Sequence, residues 1–378
     1  MGTGITSILL HNLPYNNVYL QRISICIFVL NIALFVVFVG ISAVRYTMFP
    51  QVWKLMLRNP AQSLFLGTFP MGFATIINMV VFVCVPAFGD RFVYLAWGLW
   101  WIDILLSVAV GLGVCFMMFT RQKHSLDKLT AVWLLPIVPA VVAAASGGIV
   151  ANVLAPIAPH HARTTILVSY FIWGMGVPIS FLVMALYFHR LCVHHVPPSE
   201  QIVSVFLPIG PCGQGAFGIM QLGKVLRTLA YTDSLSFGSA LPEGANDVKI
   251  IASAIYGASL VVGLVLWGVG VFWLCIAVST IVDIKRKGGF PINMGAWGFT
   301  FPLGVLTTAT TLLATELDSI AFKVVGTVFS ICVILLWMYV SAWTAYKAFD
   351  GSMFVAPCLA QSDKVRQSGD DDATGSSI

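Results

Sequence analysis

Long apolar segments separated by short polar loops run through almost the whole chain. Five of these segments are largely aliphatic and aromatic, and they cover 23–44, 92–119, 164–188, 250–282 and 320–349. About 20 apolar residues are enough for an α-helix to cross a bilayer. The pattern therefore predicts an all-α polytopic membrane protein in which these helices face lipid. The segment at 164–188 is the least regular of them, because it also contains glycines and Pro178.

Four further apolar segments alternate with the smooth ones and begin with proline and glycine. They cover 63–87, 130–155, 204–231 and 291–317. Each contains a proline-rich or Pro/Gly motif near its start, and these motifs are FPMGFAT, LPIVPAVVA, LPIGPCGQG and FPLGVLTT. A related stretch without proline, MGTGITS, lies at the amino end. Residues 1–10 are too short to cross a bilayer. We expect the first helix to be truncated in this sequence, with a half-helix as the alternative.

A unit of one segment with a Pro/Gly motif and one largely aliphatic segment repeats along the chain, and this repeat predicts the architecture. Internal repeats of helical units are typical of transporters. We expect ten transmembrane helices arranged as five helical hairpins, with an inner ring of Pro/Gly-broken odd-numbered helices around a central pore. A proline removes a backbone donor, and a freed carbonyl in lipid must be satisfied by protein or water. The prolines expected to line the pore are Pro70, Pro139, Pro208 and Pro211.

Composition and charge agree with a membrane protein. The chain of 378 residues is 58% hydrophobic and 9% charged, whereas soluble domains are about one quarter charged. Loop charges predict the orientation, because 13 of the 20 Lys and Arg residues fall on one side and the basic side faces the cytoplasm. Both termini are then cytoplasmic. Residues 1–349 form the predicted transmembrane domain, 50–60 a short helix on the membrane surface, and 350–378 a largely disordered cytoplasmic tail.

Several functional classes have no support in the sequence. The eight cysteines are scattered without metal-ligand spacing, and the paired histidines at 160–161 and 194–195 lack acidic or cysteine partners nearby. No basic face suits nucleic acid, and no phosphate-binding loop or catalytic constellation stands out. We therefore expect no metal, no cofactor, no nucleic-acid partner and no enzymatic activity.

Four stretches carry a resemblance to a known family: MGTGITSILLHNLPYN, SLFLGTFPMGFATI, PCGQGAFGIMQLG and FTFPLG. They resemble the fungal sulfite efflux pump branch of the tellurite-resistance/dicarboxylate transporter family, which includes the plant slow anion channels. The resemblance implies a homotrimer of ten-helix protomers, each with its own anion pore, exporting sulfite or bisulfite across the plasma membrane. A malate or other C4-dicarboxylate transporter is the alternative within the family. A membrane receptor or an intramembrane enzyme is the alternative outside it.

The resemblance also assigns roles to residues of the ninth segment and its neighbours. In the slow anion channels a phenylalanine on the ninth helix plugs the pore, which points here to Phe301, with Phe299 as the second choice. Uncharged polar or aromatic side chains are expected to line the pore, namely Ser146, Gln214, Phe217, Thr307 and Thr308. Such a lining lets an ion leave as well as enter. Hydrogen bonding between helices is the alternative role of the same polar groups.

Three charged residues inside or beside the apolar segments need an explanation. Lys224 and Arg227 lie at the end of the segment 204–231. They either extend to the interface as ordinary helix-end cations or form a cationic outer vestibule. Asp103 lies within the segment 92–119, where an acid is costly and is by default functional. It is either a hydrogen-bond donor to a neighbouring helix or a proton carrier, and its place on an even-numbered helix favours the structural role.

Overall fold

A computed structural model describes residues 1–197, 199–232, 245–289 and 293–351, and within them the regular structure is entirely helical. The α-helices, numbered in chain order, are α1 Gly2–His11, α2 Val18–Met48, α3 Pro50–Arg58, α4 Thr68–Met79, α5 Val85–Phe88, α6 Asp90–Thr120, α7 Val138–Leu154, α8 Pro159–His194, α9 Ile209–Tyr231, α10 Ala245–Arg286, α11 Trp297–Glu316 and α12 Ile320–Phe349. The predicted tail lies outside the described residues from position 352 onward and stays a prediction.

Eight helical runs in the described residues are long and apolar enough to cross a membrane. They are Val18–Met48, Ser63–Phe88, Asp90–Thr120, Pro159–His194, Gln201–Tyr231, Asn246–Arg286, Met294–Glu316 and Ile320–Phe349. Two predicted spans fall short of that length, because α7 has 17 residues and α1 has 10. The all-helical, multi-span class is therefore confirmed, whereas the count of ten full spans is not.

Short turns of 3-10 helix precede the four helices that carry the Pro/Gly motifs. These turns are Ser63–Gly67 before α4, Ala131–Leu134 before α7, Ser199–Phe206 before α9 and Met294–Ala296 before α11. The prolines follow at the helix starts: Pro70 is the third residue of α4, Pro139 the second of α7 and Pro211 the third of α9, while Pro208 is the N-cap of α9. The first turn of a helix has no internal acceptor for its N–H groups, so proline costs little there. The expectation that these prolines break helices is corrected: they begin them.

Besides Pro178 inside α8, interruptions lie within the membrane runs that contain α11 and α4. Pro302 is inside α11, close to its start. In the run that contains α4, a π-helical segment at Val80–Cys84 joins α4 to α5, and Pro86 follows in the first turn of α5. A π segment accommodates an extra residue in the helical ladder and commonly marks a functional site. Both interruptions are on helices that border the cavity described below.

The helices fall into a buried set and an exposed set. The most apolar windows are 89% buried in the run that contains α9 but only 17% buried in α12. The buried set consists of α1, α4, α7, α9 and α11, whereas α2, α6, α8, α10 and α12 expose one side along most of their length. α9 is central, because it packs against α7, α8, α10 and α11.

Glycines allow the buried helices to approach each other closely. A Cβ on Gly213 of α9 would lie 2.5 Å from the backbone N of Leu306 on α11. A Cβ on Gly304 of α11 would lie 2.5 Å from Cγ1 of Ile5 on α1. In lipid no hydrophobic effect drives helices together, so they associate largely through van der Waals packing. Small residues at the contacts allow that packing to be close. These contacts hold α1, α9 and α11 together around a shared space.

Candidate functional site

A cavity of about 720 Å³ lies between the five buried helices. Residues of α1, α4, α7, α9 and α11 all border it, together with residues of the π segment and of the loop that follows α1. On α9 the bordering residues are Gln214, Phe217, Gln221 and Lys224. Their spacing of three, four and three residues puts them on one face of the helix. Gln214 and Gln221 thus add two side-chain amides to the cavity lining from α9.

The α11 side of the cavity is a row of threonines and aliphatic residues. Phe301, Val305, Thr308, Leu312 and Thr315 follow each other at three- and four-residue intervals along the helix. The Oγ1 of Thr308 donates a hydrogen bond to the carbonyl of Val305 at 2.8 Å. A threonine hydroxyl engaged in this way presents its lone pairs and methyl group to the cavity. The α11 face is therefore polar, but its threonine hydroxyls already donate within the helix.

The cavity has a closed end and an open end. At the closed end, each buried helix contributes its first bordering residue, and these are Ile5, Thr75, Val142, Gln214 and Phe301. The side chain of Phe301 is only 5% exposed. Thr315, 14 residues further along α11, is exposed, and 14 residues of α-helix span about 21 Å. We name these two ends the Phe301 end and the Lys224 end.

The two candidate gate residues occupy different environments. Phe301 borders the cavity and lies beside Gly304, where α11 touches α1. Phe299 does not border the cavity and packs edge to face on Phe206, with the ring centroids 4.8 Å apart. Of the two, only Phe301 borders the cavity, and it lies at the closed end.

The other predicted site residues divide in the same manner. Those that border the cavity are Gln214, Phe217, Thr308 and Lys224. Those that do not border it are Pro70, Pro139, Ser146, Pro208, Pro211, Thr307 and Arg227. Thr307 donates to the carbonyl of Leu303 at 2.7 Å and is fully buried. The prolines are absent from the lining because they lie in the first turns of their helices, beyond the Phe301 end.

Several polar residues that border the cavity are missing from the sequence-based set, and Asn78 and His11 are two of them. Asn78 on α4 is 6% exposed, and its Oδ1 has no hydrogen-bond partner among the described residues. His11, at the end of α1, stacks on Phe82 with ring centroids 5.7 Å apart. Both border the cavity. The three-residue spacing from Thr75 to Asn78 within an apolar run was a signal for one polar helix face.

Lys224 is paired with an acid at the open end. Its Nζ lies 2.6 Å from Oε1 of Glu316, the last residue of α11. The other carboxylate oxygen, Oε2, accepts a hydrogen bond of 2.5 Å from the hydroxyl of Tyr256 on α10. The guanidinium of Arg227 lies over the rings of Tyr256 and Tyr231, 5.0 and 5.5 Å from their centroids. These residues join α9, α10 and α11 at the Lys224 end.

Asp103 on α6 is away from the cavity. Its side chain is fully buried, and neither carboxylate oxygen has a hydrogen-bond partner among the described residues. Trp100, almost one turn earlier, donates from Nε1 to the carbonyl of Ala143 on α7 at 2.9 Å. The buried side of α6 at this level is thus directed toward α7. Asp103 does not border the main cavity or the smaller one beside Lys224.

The chemistry of the cavity suits passage more than capture. Among its described lining residues there is no Asp or Glu, and Lys224 is the one Lys or Arg. The described residues contain no group of three or more His, Cys, Asp or Glu side chains arranged to hold a metal ion. Amides, hydroxyls and aliphatic groups dominate. A small anion can exchange part of its hydration for these groups without being bound tightly.

Sequence comparisons agree with this description. Residues 1–345 match the family SLAC1, described as voltage-dependent anion channel. A sulfite efflux pump of Arthroderma otae is 46% identical over 354 residues, which are 94% of this chain and 90% of that protein. A pump of the same name from Saccharomyces cerevisiae is 25% identical over 391 aligned positions, covering 88% of this chain and 82% of that protein. A malic acid transport protein of Schizosaccharomyces pombe is 21% identical over 340 residues, covering 89% and 74%. The chain therefore belongs to the SLAC1 family of voltage-dependent anion channels.

Proposed function

We propose that this protein exports sulfite or bisulfite through the cavity between its five buried helices. The observation that carries the proposal is the cavity itself, a polar space of about 720 Å³ with one closed end and one exposed end, in which Lys224 is the one Lys or Arg of the described lining. The sulfite efflux pump of Arthroderma otae, 46% identical over 94% of this chain, supports the choice of anion. The activity is transport and involves no bond making or breaking.

The path of the anion in this proposal runs along the faces of α9 and α11. The side-chain amides of Gln214 and Gln221 supply N–H donors, whereas the hydroxyls of Thr308, Thr311 and Thr315 donate to carbonyls of their own helix. None of these groups is charged, so each contact replaces part of the hydration shell at modest gain. Conduction requires binding weak enough for release. The aliphatic side chains between the polar groups keep that binding weak.

Phe301 is the proposed gate. Its ring closes the Phe301 end of the cavity, and the face of α9 beyond it has room. Outside the neighbouring turns of α9 itself, no atom of the described residues lies within 4 Å of the place where a Cβ on Gly210 would be. Gly210 precedes Gln214 by four residues, so it continues the cavity face of α9. Rotation of one aromatic side chain would then connect the cavity with this space.

The remaining features of the proposal follow from the resemblance to slow anion channels and from the burial pattern. We propose that the five buried helices form a pore ring, that each pairs with an exposed helix as a hairpin, and that α1 and α7 serve as the two short members. Three such protomers assemble in the plasma membrane with both termini in the cytoplasm. The exposed apolar faces of α2 and α12 supply surface for lipid and for neighbouring protomers. Native mass spectrometry of the purified protein tests the trimer.

Transport of malate is the competing proposal within the family. The malic acid transport protein of Schizosaccharomyces pombe is 21% identical, against 46% for the sulfite efflux pump of Arthroderma otae. A C4-dicarboxylate dianion would also gain little from the cavity, since its one lysine is already paired with Glu316. Both observations favour the smaller anion.

Flux measurements on purified protein in liposomes test the proposal. We expect protein-dependent sulfite efflux that excess malate inhibits only weakly, both with and without an imposed proton gradient. Liposomes without protein are the control for passive leak of the neutral acid. Strong inhibition by malate together with malate uptake would transfer the proposal to dicarboxylates. No flux of either anion above the protein-free control would refute transport.

A further inference from the structure

A second, smaller cavity adjoins the first at the Lys224 end. It has a volume of about 330 Å³ and is bordered by Lys224, Arg227, Tyr231, Tyr256 and Glu316. Thr228 of α9 and Thr232, the C-cap of α9, complete its described lining. Lys224 borders both cavities, whereas Glu316 borders only the smaller one. The 2.6 Å ion pair therefore draws the ammonium of Lys224 toward the smaller cavity. The mouth of the main cavity is flanked by this pair.

Glu316 is held firmly in its place. Its side chain is only 8% exposed, and its two oxygens accept separately from Lys224 and from the hydroxyl of Tyr256. A largely buried carboxylate with two donors is not free to turn away from the lysine. The positive charge of Lys224 is thus compensated wherever the anion meets it.

Arg227 is the cation next to this pair. It lies three residues after Lys224 on α9, borders only the smaller cavity, and stacks over Tyr231 and Tyr256. Among the described residues that border either cavity, Lys224 and Arg227 contribute two positive charges and Glu316 one negative charge, so their net fixed charge is +1. Lys249 of α10 lies 5.9 Å from the ring of Tyr231, outside both linings.

We propose that Glu316 is a specificity-determining residue that lowers the fixed charge at the mouth and so selects monoanions over dianions. The inference rests on the proposed anion transport and names bisulfite, in preference to the sulfite dianion, as the species that passes. The cost of removing an ion from water rises with the square of its charge, whereas its attraction to a fixed charge rises only linearly. A net charge of +1 on the lining residues neutralises the charge of a monoanion, whereas it neutralises only half of the charge of a dianion.

The test compares two ions whose charges do not change near neutral pH, nitrate and sulfate. Their fluxes are measured separately in liposomes at one pH and low ionic strength, and the sulfate-to-nitrate ratio is the readout. Glu316→Gln removes one negative charge while an amide oxygen can still accept from Lys224 or Tyr256. We expect this variant to raise the ratio about tenfold, because a dianion gains twice as much as a monoanion from the added positive charge.

A charge-restoring double variant separates electrostatics from damage to the fold. Glu316→Gln combined with Lys224→Gln leaves Arg227 as the one charge of the group, so the net charge is again +1. We expect the ratio to return to within about twofold of the wild-type value, since the selectivity follows the fixed charge. Asp318→Asn is the matched control, because Asp318 pairs with Lys323 at 2.8 Å on the exposed surface, outside both cavities. It should leave the ratio unchanged.

Three results would overturn the inference. The first is a folded Glu316→Gln variant whose ratio equals that of the wild type, and the second is a wild-type protein that passes sulfate as readily as nitrate. The third is a wild-type protein that passes neither ion, because a filter that acts on charge must admit a small monoanion. A parallel sulfite assay keeps the two proposals apart. Sulfite efflux with an unchanged ratio refutes the role of Glu316 alone, whereas a shifted ratio without sulfite efflux refutes the substrate alone.

Discussion

α9 and α12 illustrate two ways of building a membrane helix. α9 is nearly all buried, yet it contains five glycines, two glutamines and a lysine. α12 is mostly exposed and consists largely of aliphatic and aromatic residues. In a water-soluble protein the more buried helix would be the more apolar one. Here the surroundings are lipid, so large apolar side chains lie on the lipid-facing surface. Small and polar side chains lie at the helix contacts and around the cavity.

The difference is one of side-chain size as much as of polarity. On α9, Gly213 and Gly223 face Leu306 and Ser259, with no space for a Cβ. On the exposed helices α2 and α6, Gly40 and Gly98 have no atom of the described residues within 4 Å of a Cβ position. Glycine at Gly213 and Gly223 is therefore a packing requirement, whereas glycine at these exposed positions is not. Four substitutions test this difference between the buried and the exposed helices.

The largest effect is expected from adding a side chain between α9 and α11. Gly213→Val places a branched side chain against the backbone of Leu306, and overpacking of this kind costs about 3 kcal/mol or more when backbone must move. We expect the yield of monodisperse protein in detergent to fall at least about tenfold. Gly98→Val on α6 is the matched control, with open space and an expected yield like that of the wild type. Equal yields from the two variants would contradict the packing argument.

The gate gives the next largest effect. Phe301→Ala removes the ring that closes the Phe301 end, and we expect sulfite flux to rise on the order of tenfold, because a hydrophobic constriction is lost. The readout is the initial rate of efflux from liposomes. Phe299→Ala controls for general loosening of α11, since it also removes a phenylalanine but one that packs on Phe206. A similar rise in both variants would mean that the ring of Phe301 is ordinary packing.

Electrostatic attraction at the mouth should have a moderate effect. Arg227→Gln removes the cation that is not paired with Glu316, and we expect flux at low ionic strength to fall about threefold, because fixed charge raises the local concentration of anions. The loss should disappear in high salt, where screening acts over a few ångströms. Lys323→Gln at the start of α12 is the control outside the cavities. A loss that persists in high salt would indicate altered packing instead.

The smallest effect is expected at Asp103. It lies on an exposed-set helix, is fully buried and does not border either cavity. Asp103→Asn keeps the shape of the side chain, and we expect sulfite flux within about twofold of the wild type, because transport does not pass through this helix. The measurement is flux across a pH series in liposomes. A folded variant that loses the pH dependence of the wild type would assign a proton-carrying role to Asp103.

Hydropathy located the long helices but not always their ends. The segment 320–349 coincides with α12, because polar residues lie directly before and after it. The segment 130–155 was placed too early, since α7 begins at Val138 after a 3-10 turn whose residues are just as apolar as the helix. α8 extends past the predicted 164–188 at both ends, because polar residues such as Arg190 remain helical beyond the lipid. Hydropathy identifies segments that are apolar enough to lie in lipid, but it does not show where a helix begins or ends.

The candidate site was predictable where one helix alone decides the outcome. Gln214, Phe217 and Lys224 share a face of α9 by the helical repeat, and that face borders the cavity. The prolines were misjudged because the repeat cannot distinguish a break within a helix from its first turn. Only the positions of the preceding 3-10 turns make that distinction.

The helical class, the alternation of two helix types and the polar face of α9 can be predicted from the sequence alone, because they depend on side-chain chemistry at helical spacing. Which helix faces contact each other depends on tertiary packing. Lys224 and Glu316 are 92 residues apart along the chain and 2.6 Å apart in space. Phe301 and Phe299 differ by two positions, yet only Phe301 borders the cavity. Such differences arise from how helices rotate and pack against each other, and close contact at glycines such as Gly213 sets that rotation.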